Sequence, residues 1–163
     1  MDLGIVIIGS ILIAVSVVPF VIINYSSVKK ENKKIELLTK IALQHNCKIS
    51  QHELCGDFVI GLDENKKFLF FIKQKEKELT SQCVDLKEFQ ICHTEENTKT
   101  IQNKEEDFIK TESVALCFKP INKDKSETKL ILYDEEKNNM LSGELLLAEK
   151  ISKKINALLK TKK

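Results

Sequence analysis

The chain has 163 residues, 26 of them basic and 24 acidic, for a formal charge of +2. The two signs are interspersed, which excludes the basic stripe of an extended nucleic-acid surface. Every base is Lys, so the guanidinium forks that grip phosphates and carboxylates in bidentate fashion are absent.

Residues 3–23 carry no charge. At about 1.5 Å per helical residue they span roughly 30 Å, the thickness of a bilayer core. No basic residue precedes the run, and no small-residue exit follows it, so it reads as an uncleaved anchor rather than a signal peptide. Lys29, Lys30, Lys33 and Lys34 follow almost at once, and Tyr25 takes the place of an interfacial aromatic. Positive flanks stay on the cytoplasmic side, so the N-terminus is expected to face out. The expected location is the bacterial inner (cytoplasmic) membrane, crossed once, with the C-terminal domain in the cytoplasm. Five cysteines in irregular positions suit free thiols in a reducing compartment better than a disulfide framework.

Residues 28–45 predict a stalk helix, with Ile35, Leu38 and Ala42 at three- and four-residue spacing. The period then changes to two. Phe58, Ile60 and Leu62 share one face of a strand over 57–63. Residues 63–66 suit a turn, and 67–73 return as an apolar strand, which makes a hairpin. A further strand pair is expected over 79–84 and 86–94. Residues 95–107 are polar and read as an exposed loop. Strands follow over 113–119, ended by Pro120, and over 128–133, and 47–55 adds a first strand. The chain closes with a helix over 142–160, where Leu145, Ala148, Ser152, Ile155 and Leu159 share a face. The expected class is α+β: an N-terminal transmembrane helix, then a curved antiparallel sheet or partly open barrel of about seven strands, capped by the C-terminal helix. The expected organisation is an anchor over 1–27, a juxtamembrane stalk over 28–45 and a cytoplasmic domain over 46–163.

The run Ile60-Gly61-Leu62-Asp63-Glu64 with residues 68–72, the run Val84-Asp85-Leu86-Lys87-Glu88-Phe89, and the terminal Gly143-Glu144-Leu145 helix resemble the bacterial pleckstrin-homology-like class. More narrowly, the chain resembles small proteins of Bacteroidetes-type bacteria that carry one membrane helix before such a domain. The resemblance covers roughly residues 46–160. It implies a seven-stranded curved sheet capped by a helix, serving as a lipid- or protein-binding module and not an enzyme. In some members of that class a phosphoinositide site uses paired basic residues near the first hairpin. Here Lys66, Lys67, Lys73, Lys75 and Lys77 lie nearby, interrupted by Glu64, Glu76 and Glu78 and without Arg.

His45-x-Cys47 and His52-x-x-Cys55 place two imidazoles and two thiols within eleven residues, a donor set that zinc takes. Their spacing matches no standard finger, so neither a metal nor any cofactor is expected. Cys92 and His93 are adjacent on a strand and face opposite ways, and Cys83 and Cys117 read as core residues. No nucleophile elbow, phosphate-binding glycine loop or dinucleotide fingerprint is present, which argues against an enzyme.

The function expected from these readings is a non-catalytic, membrane-anchored module that presents a protein-binding surface. The alternative is a domain that binds anionic lipid or a small ligand at the inner leaflet. A third reading is a His/Cys metal or redox sensor. A lipid reader should gather the five hairpin lysines on one face. A protein binder should show an exposed apolar groove or an unpaired sheet edge.

Overall fold

The computed structural model describes residues 29–75, 78–101, 108–137 and 140–161. Residues 29–44 are helical (α1). Among the described residues seven strands form, β1 (Gln51–Cys55), β2 (Phe58–Asp63), β3 (Phe68–Lys75), β4 (Glu78–Asp85), β5 (Phe89–Ile101), β6 (Phe108–Pro120) and β7 (Thr128–Asp134), and α2 (Glu144–Lys160) follows them. Leu38 onward forms one compact unit, and the helical residues before it belong to another.

Two expectations are corrected here. The strands form no single curved sheet and no partly open barrel. They divide into a four-stranded sheet, β1-β2-β3-β4, and a three-stranded sheet, β5-β6-β7, all antiparallel. The expected pairing of 79–84 with 86–94 is absent, because β4 pairs with β3 and β5 with β6. The reason is local. Asp85 accepts a hydrogen bond from Lys87 N at 3.0 Å and starts one turn of 3₁₀ helix over Leu86–Glu88. Leu86 N donates back to Lys67 O at 2.9 Å. The chain therefore leaves the first sheet at this turn and begins the second.

The second correction concerns the membrane. No helix among the described residues is long and apolar enough to cross a bilayer. Residues 1–27, with Tyr25, lie outside the described residues. The helix that is described from residue 29 carries Lys29, Lys30, Glu31, Lys33, Lys34, Glu36 and Lys40, and charges at that density are costly in hydrocarbon. On α1, Lys29, Lys30 and Lys33 are exposed, while Lys34 is buried. The single-pass inner-membrane placement and the transmembrane anchor are accordingly set aside.

The β2–β3 hairpin is built around Asp63, which is 2 % exposed. Its carboxylate accepts Lys48 N at 2.8 Å and Lys66 N at 3.0 Å, tying the turn to the chain that enters β1. Burial pushes this carboxyl up, but backbone N–H donors from Lys66, Lys48 and Asn65 outweigh it, and its pKa lies below the ordinary carboxylate value. Lys67 completes the turn at φ 60°.

Gly61 is required by close approach. A Cβ there would lie 2.6 Å from Leu38 Cδ2 and 3.0 Å from Ile49 Cδ1. Gly61→Ala is expected to cost about 1–3 kcal/mol through overpacking. Adding Leu38→Ala should restore part of the Gly61→Ala loss, because the two changes share one contact. Urea melts of the two single variants and the double variant check this, and strict additivity would contradict it.

The main core lies between the sheets and α2. It joins Phe58, Ile60, Leu69, Phe71, Val114, Leu116, Phe118, Leu130 and Leu132 with Ala148, Ile151, Ile155 and Leu159. The period-two faces thus converge with one stripe of the helix. β5 and β6 run on beyond that core. The segment 95–101, expected as loop, is strand, paired as Glu95↔Ala115, Thr98↔Thr111 and Ile101↔Phe108. Both faces of this ribbon meet solvent, so no apolar alternation marks it. Polar cross-strand pairs hold it instead, including Thr111 Oγ1 to Glu96 Oε1 at 2.8 Å and Asn97 Nδ2 to Ser113 Oγ at 3.0 Å.

Candidate functional site

Two sheets have four edges, and an edge strand presents unpaired N–H and C=O groups to anything that approaches. Each of three edges is met at one residue by another part of the fold. On β5, Cys92 N donates to Asn156 Oδ1 at 2.9 Å, and Cys92 O accepts Asn156 Nδ2 at 2.7 Å and Ser152 Oγ at 2.9 Å. Polar side chains of α2 thus satisfy that edge at Cys92. β1 is only five residues long, and Lys150 Nζ of α2 reaches its Glu53 Oε1 at 2.6 Å. On β7, Lys73 Nζ donates to Leu132 O at 2.9 Å.

β4 is different. It ends the four-stranded sheet, and no other described element pairs along its outer side. Its first six residues, Glu78 to Cys83, are all exposed. Leu79-Thr80-Ser81-Gln82-Cys83 carries no charge, and no Pro or Lys blunts this edge. Leu79 is half exposed.

Over one face of the β3–β4 pair, next to this edge, opens a cleft of about 190 Å³, walled on the other side by β7. Phe71, Lys73, Lys75, Thr80 and Gln82 line one wall, and Lys129 and Ile131 the other. Four lysines (Lys73, Lys75, Lys129, Lys137) and two acids (Glu78, Asp134) line it, and three of the lysines stand in ion pairs, Lys73 with Asp57, Lys129 with Glu95 and Lys137 with Asp134.

The hairpin lysines do not share one function. Lys66 Nζ donates to Asn46 O. Lys67 Nζ donates to Leu158 O at 3.0 Å, near the C-terminus of α2, where a cation is favoured. Lys73 bridges to β7 as above and lies 3.7 Å from Asp57. Three of the five thus tie down carbonyls in three separate places. Lys75 lines the cleft, and Lys77 lies outside the described residues.

The two His/Cys pairs are also separated in role. His45 lies tilted against Phe70, ring centroids 5.8 Å apart at 53°, and Cys47 is buried with its thiol 3.5 Å from His45 O. His52 and Cys55 lie on β1, His52 exposed. Burial raises the Cys47 thiol pKa, with Asp63 adding to the effect. These four do not form a converging donor group among the described residues.

A different set does converge. His93 and Glu95 are two apart on β5 and share its outer face, and the register sets Cys117 of β6 directly opposite His93. One ligand atom from each of His93, Glu95 and Cys117 lies within 4.8 Å of the others. Cys117 Sγ is 3.6 Å from Glu95 Oε2. Lys129, opposite Cys117 on β7, donates to both Glu95 oxygens at 2.7 Å. That bond holds Glu95 below the usual carboxylate range and raises Lys129. Burial, then the Glu95 charge, pushes the Cys117 thiol up to about 11, and burial pushes Cys92 up to about 12. Neither thiol is a nucleophile at neutral pH in this state. Sequence reading overlooked this set, although His93-x-Glu95 already placed two donors on one face of a strand.

No family model matches the chain, and neither a curated protein nor a solved structure shows significant similarity to it. Nothing in these comparisons identifies a pleckstrin-homology-like domain.

Proposed function

We propose that the protein is a non-catalytic binding module that captures an extended segment of a partner protein along β4. The observation that carries this reading is the edge of β4: exposed, uncharged over Leu79–Cys83 and unpaired beside a cleft. An added strand gains backbone hydrogen bonds from such an edge, and side-chain pockets next to it give selectivity. Lysines on both walls of the cleft, Lys75 on one and Lys129 on the other, offer cations to the acidic side chains of such a segment. Lys129 and Ile131 of β7 lie across the cleft from Thr80 and Gln82 of β4, so side chains of the added segment would meet them. The dispersal of Lys66, Lys67 and Lys73 onto three separate carbonyls weighs against a lysine face that reads anionic lipid.

The test selects linear peptides from a random display library on the full chain and maps amide protection in the complexes. Acidic peptides are expected to win, and the amides of 79–83 should gain protection. Thr80→Glu with Gln82→Glu should weaken binding about tenfold or more, roughly 1.4 kcal/mol per decade. Stability should hold, because both sites are exposed. Selected peptides that protect another surface would overturn the reading. So would a dimer formed through β4 itself, or anionic vesicles that bind the chain while β4 stays unprotected.

A further inference from the structure

We infer that His93, Glu95 and Cys117 form a site for a zinc-class divalent cation on the outer face of the three-stranded sheet. The three residues supply one nitrogen, one oxygen and one sulfur, a mixture suited to zinc, which has no geometric preference of its own and accepts all three donors. Zinc bonds of about 2.0–2.3 Å in a tetrahedron put neighbouring donor atoms about 3.3–3.8 Å apart. Cys117 Sγ and Glu95 Oε2 already stand at 3.6 Å, and all three donors fall within 4.8 Å. The sheet fixes this arrangement. Cys117 sits on the central strand β6, and His93 and Glu95 on its neighbour, so only side-chain rotation is needed to close the triangle.

Two further observations point to a cation. A positive charge already occupies the place, since the Lys129 ammonium bridges both Glu95 oxygens. An ion would displace that ammonium toward solvent and the neighbouring cleft, which Lys129 also lines. In addition, Glu127 Oε1 lies 3.6 Å from His93 Nε2. A carboxylate behind a histidine is the usual device for orienting a metal-binding imidazole. On binding, the Cys117 thiol gives its proton to solvent and water fills the fourth position, so the site adds an ion without any redox step. This inference is independent of the peptide-binding reading.

The test titrates the purified full chain with cobalt(II), a spectroscopic stand-in for zinc, and then with zinc in competition. The expected result is one ion per chain, with the thiolate-to-cobalt charge-transfer absorption and the intense visible bands of a tetrahedral ion. His93→Gln, an exposed and structurally mild change, should abolish the thiolate band. Glu127→Gln should weaken affinity about tenfold or more. Cys117→Ala should remove the band, with circular dichroism checking that the chain still folds. His52→Ala should leave binding intact. Absence of stoichiometric cobalt at tens of micromolar, a thiolate band that survives His93→Gln, or one abolished by His52→Ala would overturn the assignment.

Discussion

Ending the chain at Gly143 is expected to abolish cooperative unfolding. α2 brings Ala148, Ile151, Ile155 and Leu159 into the core shared by both sheets, and two of them are fully buried. It also satisfies the β5 edge at Cys92, where Asn156 and Ser152 hold the N–H and C=O. Without the helix those groups return to water, and the inner faces of two sheets stand open. A single change scales the effect. Ile155→Ala should cost about 2–5 kcal/mol, because the side chain is fully enclosed and the backbone around it is fixed by strands. Leu146→Ala, on the outer face of the same helix at 74 % exposure, should change stability by less than about 0.5 kcal/mol. Urea denaturation followed by far-ultraviolet circular dichroism measures all three. A sigmoidal transition of normal steepness in the shortened chain would show that the sheets stand alone, and equal losses at Ile155 and Leu146 would contradict the placement of the helix.

The elements that could be read from the sequence are those with at least one dry face. β2 and the middle of β3 are buried on both faces, so they appear as apolar runs, and the Asp63 turn between them is plain from its polarity. The closing helix shows its stripe because one face is dry. Where both faces are wet the signal vanishes. Thr98, Lys99 and Thr100 look like loop, yet they pair with Thr111, Lys110 and Ile109, held by register and polar pairs. The division into two sheets was also hidden. It turns on Asp85 capping a single 3₁₀ turn, a three-residue event that hydrophobic periodicity does not register.

The candidate site was legible in one respect only. An unpaired edge is the mark of a protein binder, and the uncharged residues 79–83 show in the sequence, but only the strand order makes β4 an edge. The five hairpin lysines looked equivalent in sequence, but their carbonyl partners lie 20, 91 and 59 residues away for Lys66, Lys67 and Lys73. The His45, Cys47, His52 and Cys55 set is close in sequence and does not converge. His93, Glu95 and Cys117 do converge, because antiparallel pairing of β5 with β6 brings together residues 22 apart, Glu95 and Cys117 among them. Register is the missing quantity, and it depends on where the β5–β6 pairing starts and where it bulges, at Phe89/Ile91 and Asn97/Thr98.

Phe118→Ala is expected to cost about 3–5 kcal/mol. Phe118 has no exposed surface, sits on the central strand of the three-stranded sheet and packs edge-on against Phe89, with ring centroids 5.6 Å apart at 62°. Neighbouring strands pin the backbone on both sides, so the void cannot collapse, and the cavity contribution stays near its upper range. Phe108→Ala provides the contrast. It lies on the same strand but is 48 % exposed, and its removal should cost less than about 1 kcal/mol. Should Phe118→Ala fail to fold, Phe118→Leu retains most of the volume and should cost about 1–2 kcal/mol. Chemical denaturation midpoints give each value. Phe118 and Cys117 point to opposite faces of β6, so Phe118→Leu should lower stability while leaving cobalt affinity at the outer face unchanged. A joint loss of stability and cobalt affinity in Phe118→Leu would mean that the outer-face donors depend on core packing rather than on strand register.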